Sequence, residues 1–245
     1  MRNKLLIMAA MALSPLLASA QDDGGDDFGT ILSVEGTHRF DKKFSVSAEV
    51  EMRTRDDVKT VDRWSGGVQA SYKVLSWLKA SAGYTLLYDN NEKYNSSFTK
   101  KAEYWGVRHR VNVSLTASYK VGNFDFSLRE RWQYTYRPEV TVDRIRLSDG
   151  AVLEDDKTFS SKSKNLLRSR VMAEYKINDF PATPYVSVET FNASRLEKVR
   201  YTVGADWKIN KKNVVGMYYR YQHVDNDSDE EPNRHIIGLE YKFRF

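Results

Sequence analysis

Arginine is the residue of this sequence whose spacing most clearly suggests chemistry. Arg129 and Arg131, like Arg168 and Arg170, stand two positions apart inside segments of alternating character. A period of two places such residues on one face of a β-strand. We group the charged residues of that polar face as the predicted lumen cluster, which comprises Glu49, Glu51, Arg53, Arg110, Arg129, Arg131, Arg168, Arg170, Glu174, Glu189, Arg200, Arg220 and Glu240.

Two interpretations of this cluster stay open if the strands close into a barrel. Charges of both signs can neutralise one another and fill a narrow lumen, which is a purely structural role. Alternatively, arginines in excess over carboxylates line a pore or pocket that favours anionic solutes, as basic rings do in anion-selective channels.

An enzyme is the competing class. Outer-membrane hydrolases can place a Ser/His pair on the outer barrel face, and the histidines available are His38, His109, His223 and His235. None of them has a serine at an evident catalytic spacing, and histidines at strand ends are typical of membrane interfaces. We therefore predict that the protein is not an enzyme. Four scattered histidines without any cysteine also make no metal-ligand set, so we predict no metal and no cofactor.

Residues 1–20 predict a secretory signal peptide. Arg2 and Lys4 form a basic start, Leu5 to Leu17 an apolar core, and Ala18-Ser19-Ala20 a cleavage site. The apolar run is too short for a membrane anchor. Residues 21–27 are acidic and glycine-rich and predict a mobile lead-in. Because the chain contains no cysteine, neither a thiol-linked lipid nor a disulfide is available.

Alternation dominates the chain from residue 28 onward. In Arg234 to Phe245, one face carries His235, Ile237, Leu239, Tyr241, Phe243 and Phe245, whereas Ile236 is the only apolar residue on the polar face. Elsewhere Glu130 falls on an apolar face. No stretch beyond the signal is apolar for long enough to form a membrane helix, so membrane residence requires a closed barrel of strands.

The connections between strands differ in length on the two sides. Short turns fall at 41–43, 75–77, 120–123, 178–183 and 210–213, and longer polar loops at 56–63, 89–105, 138–164 and 224–233. This asymmetry is typical of outer-membrane barrels and has no reason to occur in a soluble sandwich. Within the longest loop, residues 141–152 predict a projecting hairpin about Asp149-Gly150.

Aromatic residues gather at both ends of the apolar faces. Those near the short turns are Phe40, Phe44, Tyr72, Tyr119, Phe124, Tyr175, Trp207 and Tyr241. Those near the long loops are Trp64, Tyr88, Tyr134, Tyr136, Tyr219 and Tyr221. Two such belts predict the aromatic girdles of a membrane barrel. The strand count conflicts with this prediction, because about eleven segments alternate while single-chain bacterial barrels have an even number. We expect 10 or 12 strands, with a strand missed or miscounted, or else a lead-in that threads the lumen.

Short motifs carry a resemblance to a known family. They are Glu49-Val50-Glu51-Met52-Arg53, Ala82-Gly83-Tyr84, Arg129-Glu130-Arg131-Trp132-Gln133-Tyr134, and Pro184 to Phe191 with Glu189. On these residues the chain resembles an uncharacterised outer-membrane barrel family common in Bacteroides-type bacteria, a domain-of-unknown-function family. The C-terminal Tyr241, Phe243 and Phe245 look like the signal that the barrel assembly machinery recognises. The resemblance implies a fold and a location but no catalytic residue.

The sequence as a whole predicts an all-β protein, an antiparallel transmembrane up-and-down β-barrel of about 10–12 strands over residues 28–245. The predicted location is the outer membrane, and the predicted partners are the assembly machinery, outer-membrane lipid and lipopolysaccharide. Rim lysines such as Lys100, Lys101, Lys162 and Lys164 suit lipid phosphates. The net charge of +5 is spread over strand faces and turns rather than gathered in one patch, so no nucleic acid is expected. A barrel that only anchors partner-binding loops remains an alternative function.

Overall fold

The computed structural model describes residues 26–225 and 232–245, and these residues form thirteen β-strands. The predicted signal peptide and most of the predicted lead-in lie outside the described residues. The strands are β1 (Asp27–Arg39), β2 (Phe44–Arg55), β3 (Thr60–Lys73), β4 (Leu78–Tyr94), β5 (Lys100–Val121), β6 (Phe124–Arg137), β7 (Val140–Arg146), β8 (Val152–Phe159), β9 (Lys162–Tyr175), β10 (Ala182–Asn192), β11 (Leu196–Lys208), β12 (Asn213–Val224) and β13 (Arg234–Arg244).

Eleven of these strands close into a barrel, which confirms the predicted fold class. Each barrel strand pairs antiparallel with its neighbour, from β1 through β6, on to β9 and then to β13. Strands β7 and β8 pair with each other and form a hairpin between β6 and β9. In the part of the chain that the structure describes, no helix is long and apolar enough to cross a membrane.

The expectation of an even number of strands is wrong. The barrel closes between β1 and β13, which run parallel, with Asp27 opposite Arg234 and Thr37 opposite Arg244. In an up-and-down barrel with an odd number of strands, the first and last strands point the same way, so the closing pair must be parallel. The eleven alternating segments of the sequence are therefore the eleven barrel strands.

Two of the predicted loops are shorter than expected. β3 begins at Thr60 rather than after residue 63, and β4 and β5 continue through most of the region 89–105, pairing from Asp89 with Gly106 to Tyr94 with Lys101. Alternation vanishes in this part because strands that project beyond an apolar environment have polar residues on both faces. The predicted hairpin is confirmed as β7 and β8, and its turn contains Gly150 at φ 70°.

Alternation along the paired strands sorts side chains to two faces. The predicted lumen cluster lies on the inner face, and both sets of predicted belt aromatics lie on the outer face, where Tyr119 is 72% and Trp64 46% exposed. Ile236 points inward, as its position in the alternation predicts, and is 4% exposed. Glu130 points outward, and its Oε2 accepts a hydrogen bond of 2.7 Å from the Ser169 hydroxyl of β9. Two outward polar groups thus satisfy each other.

Candidate functional site

Strand register brings the arginines of distant segments to one wall of the lumen. Arg129 of β6 lies opposite Arg170 of β9, which lies opposite Glu189 of β10, which lies opposite Arg200 of β11. Because paired residues of antiparallel strands project from the same face, all four side chains enter the lumen side by side on one wall. Four residues of the predicted cluster therefore meet, although β6 and β11 are far apart in sequence.

Glu189 is the carboxylate at the centre of this wall. Arg168 Nη2 lies 3.0 Å from Oε2 and 3.1 Å from Oε1, and Arg129 Nη2 also donates to Oε1. The Glu189 side chain is only 10% exposed, and the two arginine side chains are 12% and 13% exposed. Because two guanidinium groups share one buried carboxylate, the three side chains together carry a net positive charge.

Other arginines of the same lumen use neutral partners. Arg131 Nε donates to Ser114 Oγ at 2.8 Å and Nη2 to Gln69 Oε1 at 3.4 Å. The remaining contacts are Arg200 to Gln222 at 2.8 Å, Arg220 to Thr202 at 3.1 Å and Arg110 to Thr135 at 3.4 Å. The buried Nε of Arg170 has no hydrogen-bond partner among the residues that the structure describes. The positive charge of this wall is therefore not neutralised by its nearest neighbours.

Two aromatic rings fix three of these guanidinium groups. Arg168 and Arg200 lie over the Phe191 ring, at 4.4 and 4.5 Å from its centroid, and Arg220 lies 4.5 Å over the Tyr218 ring. Such cation–π contacts hold a cation in place without neutralising it. Sequence reasoning gave neither aromatic a role in the site. The signal for Phe191 was its inward position in the alternation, which is unusual for a large apolar residue in a polar lumen.

Carboxylates gather on the opposite part of the inner face. Glu51 pairs with Arg53, Nε to Oε1, at 2.6 Å. Glu49 lies opposite Glu35 of β1 and Gly67 of β3, and it is exposed although it points inward. An exposed inward side chain next to a glycine means that solvent reaches the lumen on this side. Side chains therefore fill the part of the lumen beside the arginines, and open space lies beside Glu49.

Two members of the predicted cluster lie apart from it. Glu174 lies near the short turns, opposite Asp125 and Tyr185, and Glu240 pairs with Lys242 at 2.9 Å. Their alternation was predicted correctly, but alternation does not give the height at which a side chain enters the lumen.

One buried charge group was missed because two of its three residues, Arg63 and Asp89, fell in predicted loops. Asp89 of β4 is 5% exposed, and its carboxylate contacts Arg63 of β3 and the Nε and Nη2 atoms of Arg108 of β5, the latter at 2.6 and 2.7 Å. The signal that was available is the spacing of Asp89 from Thr85 and Leu87, which continues the inward alternation of β4.

All four histidines lie on the outer face. Tyr84 shares a 2.7 Å hydrogen bond with His109, Tyr219 shares one of 2.6 Å with His235, and His38 packs edge-on against Phe40. Within residues 26–225 and 232–245, no group of three or more histidine, aspartate or glutamate side chains is arranged to hold a metal.

The rim lysines have acidic neighbours. Lys100 lies 3.0 Å from Asp155, Lys101 also contacts Glu103, and Lys164 points inward and lies 2.7 Å from Glu197. Arg144 also donates to Asp155, and the hydrogen bonds from Arg144 and then Lys100 lower the pKa of that carboxyl to about 2. The β7–β8 hairpin is therefore tied to β5 by charge.

The predicted assembly signal forms the outer face of the end of β13. Tyr241 donates to Asn213 Oδ1 at 2.5 Å, and the rings of Phe243 and Phe245 stack at 5.6 Å. The Phe245 amide donates to the Thr37 carbonyl at 3.1 Å, which continues the parallel seam to the last residue.

Comparisons with known proteins give a family and a fold. A family model described as "Protein of unknown function (DUF2490)" matches residues 28–234. A search of curated proteins finds no match. Among solved structures, the chain is similar to the translocator domain of the autotransporter NalP from Neisseria meningitidis, with 11% identity, 98% of this chain and 96% of that chain covered, and a TM-score of 0.56. It is also similar to the β domain of the Bordetella autotransporter BrkA, with 12% identity, coverage of 82% and 79%, and a TM-score of 0.50. At such identities the likeness concerns the fold alone.

Proposed function

Since this chain belongs to the DUF2490 family of proteins of unknown function, we propose its function from the lumen: an outer-membrane β-barrel that serves as a narrow pore preferring small anionic solutes. The barrel fold, the outward aromatics near both ends and the predicted signal peptide support an outer-membrane location. The same features favour a Gram-negative host. The resemblance of the short motifs favours a host of the Bacteroides type. The short turns then face the periplasm and the long loops the exterior.

One observation carries the choice of anions. Arg110, Arg131, Arg200 and Arg220 hydrogen-bond neutral side chains, while the single carboxylate of their wall, Glu189, is shared by two further arginines. Neutral partners hold a guanidinium in place and leave its charge to attract a passing anion. A barrel that used its charges only as filling would be expected to match cations with carboxylates.

Conductance in planar bilayers tests this proposal. A potassium chloride gradient across the refolded full-length protein should give a reversal potential of the sign that chloride preference requires. The double variant R131Q/R170Q should reduce that preference, whereas R146Q, at the end of β7 and paired with Asp149 at 2.9 Å, should not. An absent channel, or a preference for cations, would refute the proposal.

We propose no catalytic activity for the chain. The observation that supports this is that His109 and His235, two of the four outward histidines, share hydrogen bonds with tyrosines rather than with a serine. Recognition by the barrel assembly machinery through Tyr241, Phe243 and Phe245 is part of the same proposal.

A second candidate is a barrel that anchors an external binding element. The observation in its favour is that the β7–β8 hairpin is held against β5 by the Lys100–Asp155 ion pair and by pairing of Lys100 with Arg146. A rigid projecting hairpin suits recognition of a protein or surface polymer. Deleting residues 141–152 separates the two candidates, because loss of binding to cells or polymer with unchanged permeability favours the anchor.

A further inference from the structure

The barrel wall is open at one place near the long loops. Pairing of β5 with β6 ends at His109 and Tyr136, and β5 meets the β7 strand only farther on, at Lys101 with Ile145 and Lys100 with Arg146. Between these points β5 keeps its pairing with β4 on its other side. Residues 102–108 therefore present one backbone edge to a gap, which we call the wall gap.

A cavity of about 230 Å³ occupies the wall gap. This volume is close to the lower end of the roughly 300–1,000 Å³ of small-molecule sites. Its walls come from β4 and β5, from the end of β6 and from the residues that follow it, including Asp89, Tyr104, Trp105, Gly106, Arg137 and Pro138. Pro138 has no amide proton and so leaves no donor unpaired on its edge of the gap. The cavity has both charged and apolar walls.

Two residues that line this cavity each have a buried hydrogen-bond donor that is unused. The Tyr104 hydroxyl and the Arg137 Nε are both buried and have no hydrogen-bond partner in the described chain. Arg137 makes one other hydrogen bond, from Nη2 to the Ser160 carbonyl at 3.0 Å, so no carboxylate of the described residues pairs with its charge. Leaving such donors without an acceptor costs free energy. A ligand with acceptor oxygens would supply the missing hydrogen bonds and remove that cost.

The Tyr104 ring is held in position. It stacks on Phe159 of β8 with centroids 5.3 Å apart, and its edge lies where a Cβ at Gly106 would approach within 3.1 Å. The glycine therefore allows the Tyr104 ring to lie against β5, beside the cavity that this residue lines.

The charge balance of the cavity selects an anion. Asp89 is already bound by Arg63 and Arg108, and Glu139, which also lines the cavity, is exposed to solvent. The Arg137 guanidinium remains as a permanent cation, which pairs well with phosphate oxygens. From these contacts we propose that the wall gap is a binding site for a phosphate group, with Arg137 and Tyr104 as its donors.

The height of the cavity indicates where such a group comes from. Trp105, which lines it, stacks on Tyr88 of the outer aromatic set with centroids 4.9 Å apart. Aromatic side chains at that level mark the headgroup region of a bilayer, so a lipid phosphate can reach the gap from the side. Free phosphate from the medium offers the same chemistry. The site goes beyond the proposed pore function and does not depend on whether the lumen conducts.

Binding experiments on the refolded full-length protein in detergent distinguish these sources. Native mass spectrometry measures retention of phosphatidylglycerol against diacylglycerol with the same acyl chains, and calorimetry measures binding of inorganic phosphate. R137Q should weaken phosphate-dependent binding about ten- to one-hundred-fold and Y104F about ten-fold. R146Q is the matched control, because the Arg146 guanidinium belongs to the adjacent β7–β8 hairpin and pairs with Asp149 outside the cavity.

Each result bears on the proposal. Selective retention of phosphatidylglycerol that R137Q and Y104F abolish supports a lipid headgroup, and calorimetric binding that the same variants weaken supports free phosphate. The proposal is overturned if the wild type binds neither probe, or if both variants bind like R146Q. Heat-modifiable migration on gels verifies folding, and Y104F, which removes a single oxygen, decides the matter if R137Q does not fold.

Discussion

Arg168 of β9 holds both carboxylate oxygens of Glu189 of β10 with one nitrogen, at 3.0 and 3.1 Å, while its Nη1 donates to Gln133 of β6 at 2.9 Å. One side chain thus ties three consecutive barrel strands together inside the lumen. The same arrangement concentrates cations around a single carboxylate, so the strength of the wall and its charge both depend on Glu189.

Replacing Glu189 by glutamine should strengthen anion preference and weaken the fold. The variant removes the one negative charge that Arg129 and Arg168 share and leaves buried cations uncompensated, which costs about 3–5 kcal/mol. Reversal potentials and denaturant unfolding in lipid vesicles measure the two effects. Glu92→Gln, a change near the loops where Glu92 lies 3.6 Å from Lys101, is the control. Unchanged selectivity together with unchanged stability would show that Glu189 does not organise the wall.

Gly238 should tolerate no side chain. The Tyr218 ring of β12 lies where a Cβ at Gly238 would stand, and Tyr218 is 4% exposed. Gly238→Ala should therefore displace the ring and destabilise the barrel by about 1–3 kcal/mol. The same exchange at Gly66, whose Cβ would meet nothing within 4 Å, should have little effect. In a protein that already carries Tyr218→Ala, Gly238→Ala should cost much less unfolding free energy than it does in the wild type. If the effects of the two substitutions simply added, the steric explanation would be contradicted.

The outward pair of Glu130 and Ser169 lies midway along β6 and β9, where the proposed membrane is most apolar. Ser169→Ala should destabilise the barrel by about 1–3 kcal/mol, because it leaves a carboxylate oxygen unpaired. Glu130→Leu should instead stabilise it by about 1–2 kcal/mol if lipid covers this face. Unfolding free energies in vesicles decide the sign, with Ser163→Ala near the rim as a control. Stabilisation by Ser169→Ala would argue against burial of the pair in lipid.

Acid should release the β7–β8 hairpin from β5. The hydrogen bond from Arg144, and then that from Lys100, lowers the Asp155 pKa to about 2 from an ordinary value of 3.8. Because the folded pKa is depressed, the stabilisation is complete above pH 3.8 and is lost as the pH falls through about 2. A carbon-13 titration of the Asp155 carboxyl should give that midpoint, and Arg144→Gln should move it towards 3.8. A normal midpoint in the wild type would rule out the tie.

Deleting Phe245 should impair insertion into the outer membrane. The residue is 59% exposed, and its ring lies 5.2 Å from that of His38 across the parallel seam. Assembly in cells, followed by heat-modifiable migration and protease protection, measures the effect. The control is the Phe245→Tyr variant, which keeps an aromatic ring at the chain end and should insert into the membrane normally. Normal insertion of the deletion variant would mean that Phe245 is not an assembly signal.

The sequence by itself determined the faces of the strands. Side chains alternate at every residue of a strand, so the pattern around Arg129 and Arg131, or Tyr241 and Phe243, is local and assigns each residue to lumen or exterior without knowledge of its neighbours. It also located the hairpin about Gly150 from turn chemistry.

Only the tertiary structure decided how the strands meet. The parallel seam of Asp27 with Arg234 joins the two ends of the described chain, and Glu189 meets Arg129 across 60 positions of sequence, because closure and register fix which inward residues share a level. The continued pairing of β4 with β5 beyond Asp89, and the wall gap beside Tyr104, likewise depend on which backbone segments hydrogen-bond to each other. Alternation carries no information about register, since a shift of two residues leaves every side chain on its face but changes all of its partners.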